Sequence, residues 1–183
     1  MASSNSLIIE DKIINRLQVK ETVLLLSLSV LIPFLIHLLP EINGVPMGAI
    51  LLAMFLAPLI AVRYFKFHVG LLIAFLSPVI NSLITGNPKT ILLPLLTFQL
   101  ILFVISLKLI RISKITEKAS ILFPFLFCVI ISFFVINIFP SILPGIKADM
   151  FLWSSLFNAL PGIILLTLSD FVIRKLKRNN HHI

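Results

Sequence analysis

Residues 44–106 read GVPMGAILLAMFLAPLIAVRYFKFHVGLLIAFLSPVINSLITGNPKTILLPLLTFQLILFVIS. Three apolar runs are joined here by two short polar connections, at 63–66 and 86–90. No period-2 alternation runs through them, and hydrocarbon admits only helices or closed barrels, so each run is expected to be a helix. Connections this short make consecutive helices antiparallel neighbours. Ala49, Ala53, Ala57 and Ala61 recur at every fourth position of the first run, and Gly70, Ala74, Pro78 and Ser82 do so in the second. That spacing keeps each set on one helix face. Small residues let helices approach closely in lipid, where no hydrophobic effect draws them together. The two stripes fit a packing of these helices on each other; alternatively, one of them docks a helix of another protein. Pro58 and Pro78 are expected to kink their helices and open space near the bundle centre.

Working outward, the whole chain shares this character. Of its 183 residues 59% are hydrophobic and 12% charged, against about 25% charged in soluble domains. An integral membrane protein is the class this fits. Uncharged stretches cover 22–40, 42–62, 67–88, 90–107, 119–146 and 150–169, each of 18 residues or more. Such lengths cross about 30 Å of hydrocarbon as helices. The expected fold is therefore an all-α bundle of six transmembrane helices over 22–173, with a basic tail at 174–183. Ahead of it, 1–21 carries Ile9, Ile13 and Leu17 on one helical face and Lys12, Arg16 and Lys20 on another. This suits a short amphipathic helix in the membrane interface, or else a frayed polar tail. Thirteen of the fifteen lysines and arginines fall on the side of the termini, leaving only Lys89 and Lys147 opposite. Both termini are thus expected in the cytoplasm, with the protein in the cell membrane. The net charge of +8 reads as topology and anionic-lipid contact, and no nucleic-acid-binding motif accompanies it.

The polar side chains are unevenly placed. Asn43, Asn81, Asn87, Gln99, Asn137 and Asn158 all fall in the external half or near the midplane of this topology, where Thr85 and Trp153 join them. An unpaired carboxamide in hydrocarbon costs on the order of several kcal/mol. The grouping therefore implies helix-to-helix partners, water or a ligand, and an outward-opening cavity is the collective reading. Gln99 lies about 13 Å deep in its run at 1.5 Å per residue, and Met54 offers a polarisable wall. Chemistry, by contrast, is missing. There is no HExxH, GxSxG or GxxxxGK[ST] pattern, so zinc-protease, serine-hydrolase and P-loop ATPase activities lack their residues. No charge falls within a span, and Asp170 lies at a cytoplasmic helix end beside basic residues. His37 and His68 belong to opposite ends, and the single cysteine, Cys128, sits in an apolar run. Neither an enzyme, a metal site nor a cofactor is expected.

Leu52-Ala53-Met54, Ser77-Pro78, Thr85-Gly86-Asn87-Pro88, Phe98-Gln99 and Leu160-Pro161-Gly162 follow one another along the chain. In order and spacing this resembles the substrate-binding S components of energy-coupling factor (ECF) transporters. Their pattern runs as a Leu-Pro-Met element, a Ser-Pro segment, a Thr-Gly-x-Pro turn, a helix with a Met-Glu pair, and a Leu-Pro-Gly element. The likeness covers about residues 44–169. It implies a six-helix bundle without ATPase activity that captures a vitamin or related micronutrient from outside. Import then requires a membrane scaffold subunit and two ABC ATPases. The resemblance also implies that loops at 41–47 and 140–149 cap the pocket, with Met54, Asn81, Thr85, Gln99 and Asn158 lining it. This chain departs from the pattern in three places. The first span lacks the Ala-x-x-x-Ala pair that docks the scaffold, leaving either Ser27 and Ser29 or the stripe of Ala53 and Ala57 for that role. Gln99 stands where an acidic residue is common, and Leu166 where a glutamine is. The competing expectation is a ligand-free structural protein of the rod-shape (MreD-like) kind, also small, basic and multi-spanning.

Overall fold

The structure, a computed structural model, describes the backbone at residues 2–42, 45–113, 121–142, 144–145 and 147–179. Side chains are described over the same range except at 2–18, 111–113, 142, 177 and 179. Among the described residues the fold is all-helical. Its helices are α1 (Ala2–His37), α2 (Met47–Ile50), α3 (Ala53–Tyr64), α4 (Phe67–Thr85), α5 (Leu93–Ser113), α6 (Leu122–Ile138), α7 (Ala148–Asn158) and α8 (Leu160–Asn179).

Among the described residues four stretches are long and apolar enough to cross a membrane: Val19–His37, Met47–Tyr64, Phe67–Thr85 and Thr90–Ile110. The α7–α8 pair, bent by 52°, makes a fifth if taken as one span. Six crossings were the expectation, and the prolines account for the difference. The apolar run at 119–146 holds a helix only over Leu122–Ile138, because Pro140 begins a 3-10 turn and cannot continue the α6 ladder. The run at 150–169 divides at Ala159, two residues before Pro161. Proline lacks an N–H, and its ring collides with the carbonyl four residues back, so Pro161 is tolerated only in the first turn of a new helix. At the other end of the chain, α1 is unbroken from Ala2 to His37. The segment 2–21 is therefore continuous with the first span. Of its amphipathic faces only exposed Lys20 is described; the side chains of Ile9, Lys12, Ile13, Arg16 and Leu17 lie outside the described residues.

The two small-residue stripes turn into the bundle but cluster separately. Ala57 and Ala61 cluster with Val69 and Ile73 of α4, and Ala74 with Val62 and Val104, while Ala49 is exposed. Ala53, Ala57 and Ala61 are buried, as are Gly70 and Ala74. A Cβ added to Gly70 would lie 2.7 Å from Val62 Cγ2, so this glycine sets how closely α4 approaches α3. Leu25 of α1 completes the same apolar cluster with Ala57, Ala61, Val69 and Ile73. On the other side of α3 the centre of the molecule is solid. Phe55 meets Phe103 of α5 edge-on at 5.1 Å and Phe125 of α6 at 6.2 Å, within a cluster that includes Leu59, Leu100, Leu107 and Leu166. Edge-to-face rings of this kind add to close packing, and they fill the region where the sequence suggested central space.

Two ends can be distinguished. The proximal end carries the end of α3 and the last turns of α8; the distal end carries the connections that flank α2, follow α4 and separate α6 from α7. At the proximal end Asp170 of α8 is 1% exposed. Arg63, the penultimate residue of α3, donates to it through Nε (2.6 Å) and Nη2 (3.3 Å), and Arg174 donates from one turn further along α8. Asp170 does pair with basic residues as its position suggested, and its cross-helix partner comes from α3. Lys108 of α5 sits 4.0 Å over the ring of Phe67 at the start of α4.

Candidate functional site

The distal end is built from two interrupted helices. The second span breaks between α2 and α3, where Leu52 takes a left-handed conformation (φ 51°, ψ 39°) while buried. Such a conformation costs a non-glycine residue about 1–2 kcal/mol. Nothing local calls for it, since Leu51 and Leu52 are good helix formers. The account is tertiary. Gly162, in the first turn of α8, lies against the break, and a Cβ on it would come within 2.7 Å of Ile50 O, Leu51 C and Leu52 Cγ. Leu52-Ala53-Met54 and Leu160-Pro161-Gly162, far apart in the chain, thus meet at one point.

The turn Thr85-Gly86-Asn87-Pro88 follows α4. Gly86 ends the helix in the left-handed region (φ 72°), and its N–H returns to Ser82 O at 3.0 Å. Thr85 Oγ1 donates to Asn81 O at 2.8 Å and accepts from the Asn87 N–H at 3.2 Å. The Asn87–Pro88 peptide is cis.

Asn81 is fully buried (0% exposed) between α4 and α1. Its Nδ2 donates to Ser29 O at 2.7 Å and to Ser77 O at 2.9 Å. The first bond has a cause in the sequence. Ser29 O would normally accept from the N–H of residue 33, which is proline and has none. A helix spanning lipid must find that carbonyl another donor, and Asn81 supplies it. The Asn81 Oδ1, like Ser77 Oγ, is buried without a partner among the described residues.

A hollow of about 560 Å³ opens at the distal end in the crook between α6 and α7. Phe133, Ile136 and Asn137 from the last turn and a half of α6 form one wall, Pro140 the turn above, and Lys147 and Asp149 the start of α7. Ile136 is buried and clusters with Leu95 of α5 and with Ala148 and Phe151. Small-molecule sites span roughly 300–1,000 Å³, mostly apolar with a few converging polar groups, and this hollow falls in that range. A second, apolar groove of about 410 Å³ lies between α4 and α5, with Phe75, Val79, Thr97 and Phe98 in its walls.

None of the five residues expected to bind substrate lines the larger hollow. Met54 packs in the central core. Asn81 ties α4 to α1, and Thr85 closes its own turn. Asn158, at the end of α7, donates through Nδ2 to Ser154 Oγ at 3.0 Å. Gln99 is half-buried on α5, on the same helix face as Leu95 one turn before it. Two of the hollow's polar residues, Lys147 and Asp149, carried no functional signal in the sequence. Asn137 was among the clustered amides, but Lys147 and Asp149 read as loop charges. Only the proline pair at 140 and 144 signalled a folded-back connection there.

Of the expected docking residues, Ser29, Ala53 and Ala57 are buried inside the bundle, and Ser27 is exposed on α1, its Oγ donating to Val23 O at 2.9 Å. Asn43 and Gly44 of the 41–47 loop lie outside the described residues, as do Leu143 and Ile146 of the 140–149 loop and the terminal His181 and His182. Around the first gap Ile42 and Val45 exchange backbone hydrogen bonds of 3.1 and 2.9 Å. His37 packs its ring on Gly48. No three metal-ligating side chains gather among the described residues. No family model, curated protein or solved structure matches this chain.

Proposed function

We propose that this chain is the substrate-binding S component of an ECF-type importer, capturing a vitamin or related micronutrient. The observation that carries the reading is the contact of Gly162 with the break at Leu51–Leu52. It joins two of the short elements on which the resemblance rests, at the end of the bundle that also holds the hollow. Discontinuous helices are how membrane transporters bring backbone and polar groups to a ligand. On this reading α6 is the fifth crossing and α7–α8 the sixth. The distribution of thirteen of fifteen lysines and arginines supports a cytoplasmic proximal end and cytoplasmic termini in a cell-membrane protein. On this reading the hollow faces outward, and uptake draws on a membrane scaffold and two ABC ATPases. The face of α1 that exposes Val23, Ser27 and Leu31 at four-residue spacing is offered for the scaffold.

A thermal-shift panel of vitamins on detergent-purified protein tests capture, since a ligand that binds only the folded state raises its stability with concentration. Coelution with the scaffold and ATPases tests coupling. The second reading, a ligand-free membrane scaffold of the MreD-like kind, is favoured by the engagement of Asn81, Thr85 and Asn158 within the protein. Silence across the panel, from protein whose melt shows it folded, moves the assignment there.

A further inference from the structure

We infer that the hollow between α6 and α7 takes a small zwitterion, a molecule bearing an anionic group and a protonated amine on an apolar body. The inference rests on the importer reading and names the substrate class of that same site. Three polar side chains border the hollow: Asn137, Lys147 and Asp149. No hydrogen bond or ion pair engages any of the three side chains among the described residues. Lys147 and Asp149 are two positions apart, opposite in charge and not paired with each other, although each is exposed and reaches the same space.

A lining with one positive charge, one negative charge and one amide selects by charge pattern. A purely anionic guest meets Lys147 favourably and Asp149 unfavourably; a purely cationic one meets the reverse. Only a guest with both groups satisfies both, and like-charge juxtaposition is what rejects the others. Asn137, whose amide donates and accepts, suits either polar end. Phe133, Ile136 and Pro140 offer the apolar wall for the body between the charges. The volume of about 560 Å³ accommodates a guest larger than the smallest amino acids.

The test uses the full chain in detergent micelles at neutral pH and three probes of one shape. These are 4-(aminomethyl)benzoic acid as the zwitterion, 4-methylbenzoic acid as the acid alone and benzylamine as the amine alone. Ligand-observed NMR titration should give the zwitterion a Kd at least tenfold below either analogue. Lys147→Gln should abolish its advantage over the amine, and Asp149→Asn its advantage over the acid. Both side chains are exposed, and a melt of each variant confirms folding. Equal binding of the three probes, no saturable binding of the zwitterion, or an unaltered preference in both folded variants overturns the inference. The importer reading fails separately. A vitamin captured with the same affinity by both variants sinks the charge assignment and leaves the importer standing. Zwitterion selectivity in a chain that never associates with ATPases does the opposite.

Discussion

Replacing Asn81 with leucine should destabilise the protein only while residue 33 is proline. Asn81 Nδ2 reaches Ser29 O at 2.7 Å, the carbonyl that Pro33 leaves without an intrahelical donor. Leucine keeps the side chain's shape and removes the donor, so a buried carbonyl loses its partner at a cost of about 1–3 kcal/mol. Interhelical hydrogen bonds measured within membranes average nearer 0.6 and reach about 1.7 kcal/mol. Asn81 Oδ1 is itself buried and unpartnered, so removing it returns part of the loss. The net expectation is about 1 kcal/mol, or a fall in Tm of about 2–4 °C for a chain of this length. Pro33→Ala restores an N–H one turn beyond Ser29, and in that background Asn81→Leu should cost close to nothing. The interaction between the two substitutions is then about 1 kcal/mol in a double-mutant cycle. Circular-dichroism melts of the four proteins in one detergent measure it. Equal losses in the two backgrounds would refute the pairing of Asn81 with the proline-freed carbonyl, whatever the loss itself.

Further substitutions probe the frame. Asp170→Asn leaves Arg63 and Arg174 facing a neutral group in a buried setting, and breaking such a pair costs about 3–5 kcal/mol; Arg174→Gln should cost less in the same melts, because Arg63 keeps both its bonds. Gly162→Ala places a Cβ 2.7 Å from the backbone of Ile50 and Leu51, which must move, for a loss of about 1–3 kcal/mol; Gly70→Ala meets only the methyl of Val62 at that distance and should be milder. Gly86→Ala introduces no contact within 4 Å but holds alanine at φ 72°, for a loss of about 1 kcal/mol, and Gly86→Asn should recover part of it.

The apolar helices and their antiparallel order were legible from residues 44–106, because span length and short connections are properties of the chain alone. The inward turn of Ala57 and Ala61 toward α4 was legible from one of two readings of the stripes, but their cluster partners there are Val69 and Ile73 and not the stripe of Gly70 and Ala74. The helix interruptions were legible only where proline enforces them. Pro161 marks the α7–α8 bend, whereas the break at Leu51–Leu52 arises from an approaching α8 backbone that no local propensity encodes. The amides show a related limit. Their grouping toward the distal end holds for Asn81, Asn137 and Asn158, yet a grouping in depth says nothing about which way each side chain turns around its helix. Asn81 turns to α1 and Asn158 to Ser154, while Asn137 faces the hollow. One clue lay in the sequence unused: Pro33 frees the carbonyl of Ser29, and a freed carbonyl in lipid requires a donor from another helix.

The two ends of the α3–α8 pair explain why the hollow lies where it does. These helices are pinned distally by the backbone contact at Gly162 and proximally by the bridge from Arg63 to Asp170. Between the pins, Phe55 and Leu166 belong to one continuous apolar core. A helix pair fixed at both ends and filled between them has no room to part. The α6–α7 hairpin is held differently. Its distal contacts are the small cluster of Leu95, Ile136, Ala148 and Phe151, and the prolines at 140 and 144 carry the chain away from α6 before α7 returns. Pro140 cannot extend the α6 ladder, so the chain leaves α6 after Ile138 in a 3-10 turn before α7 begins at Ala148. The space left between them is the hollow, and the charges on its rim are those of a connection kept out of the core by its own prolines.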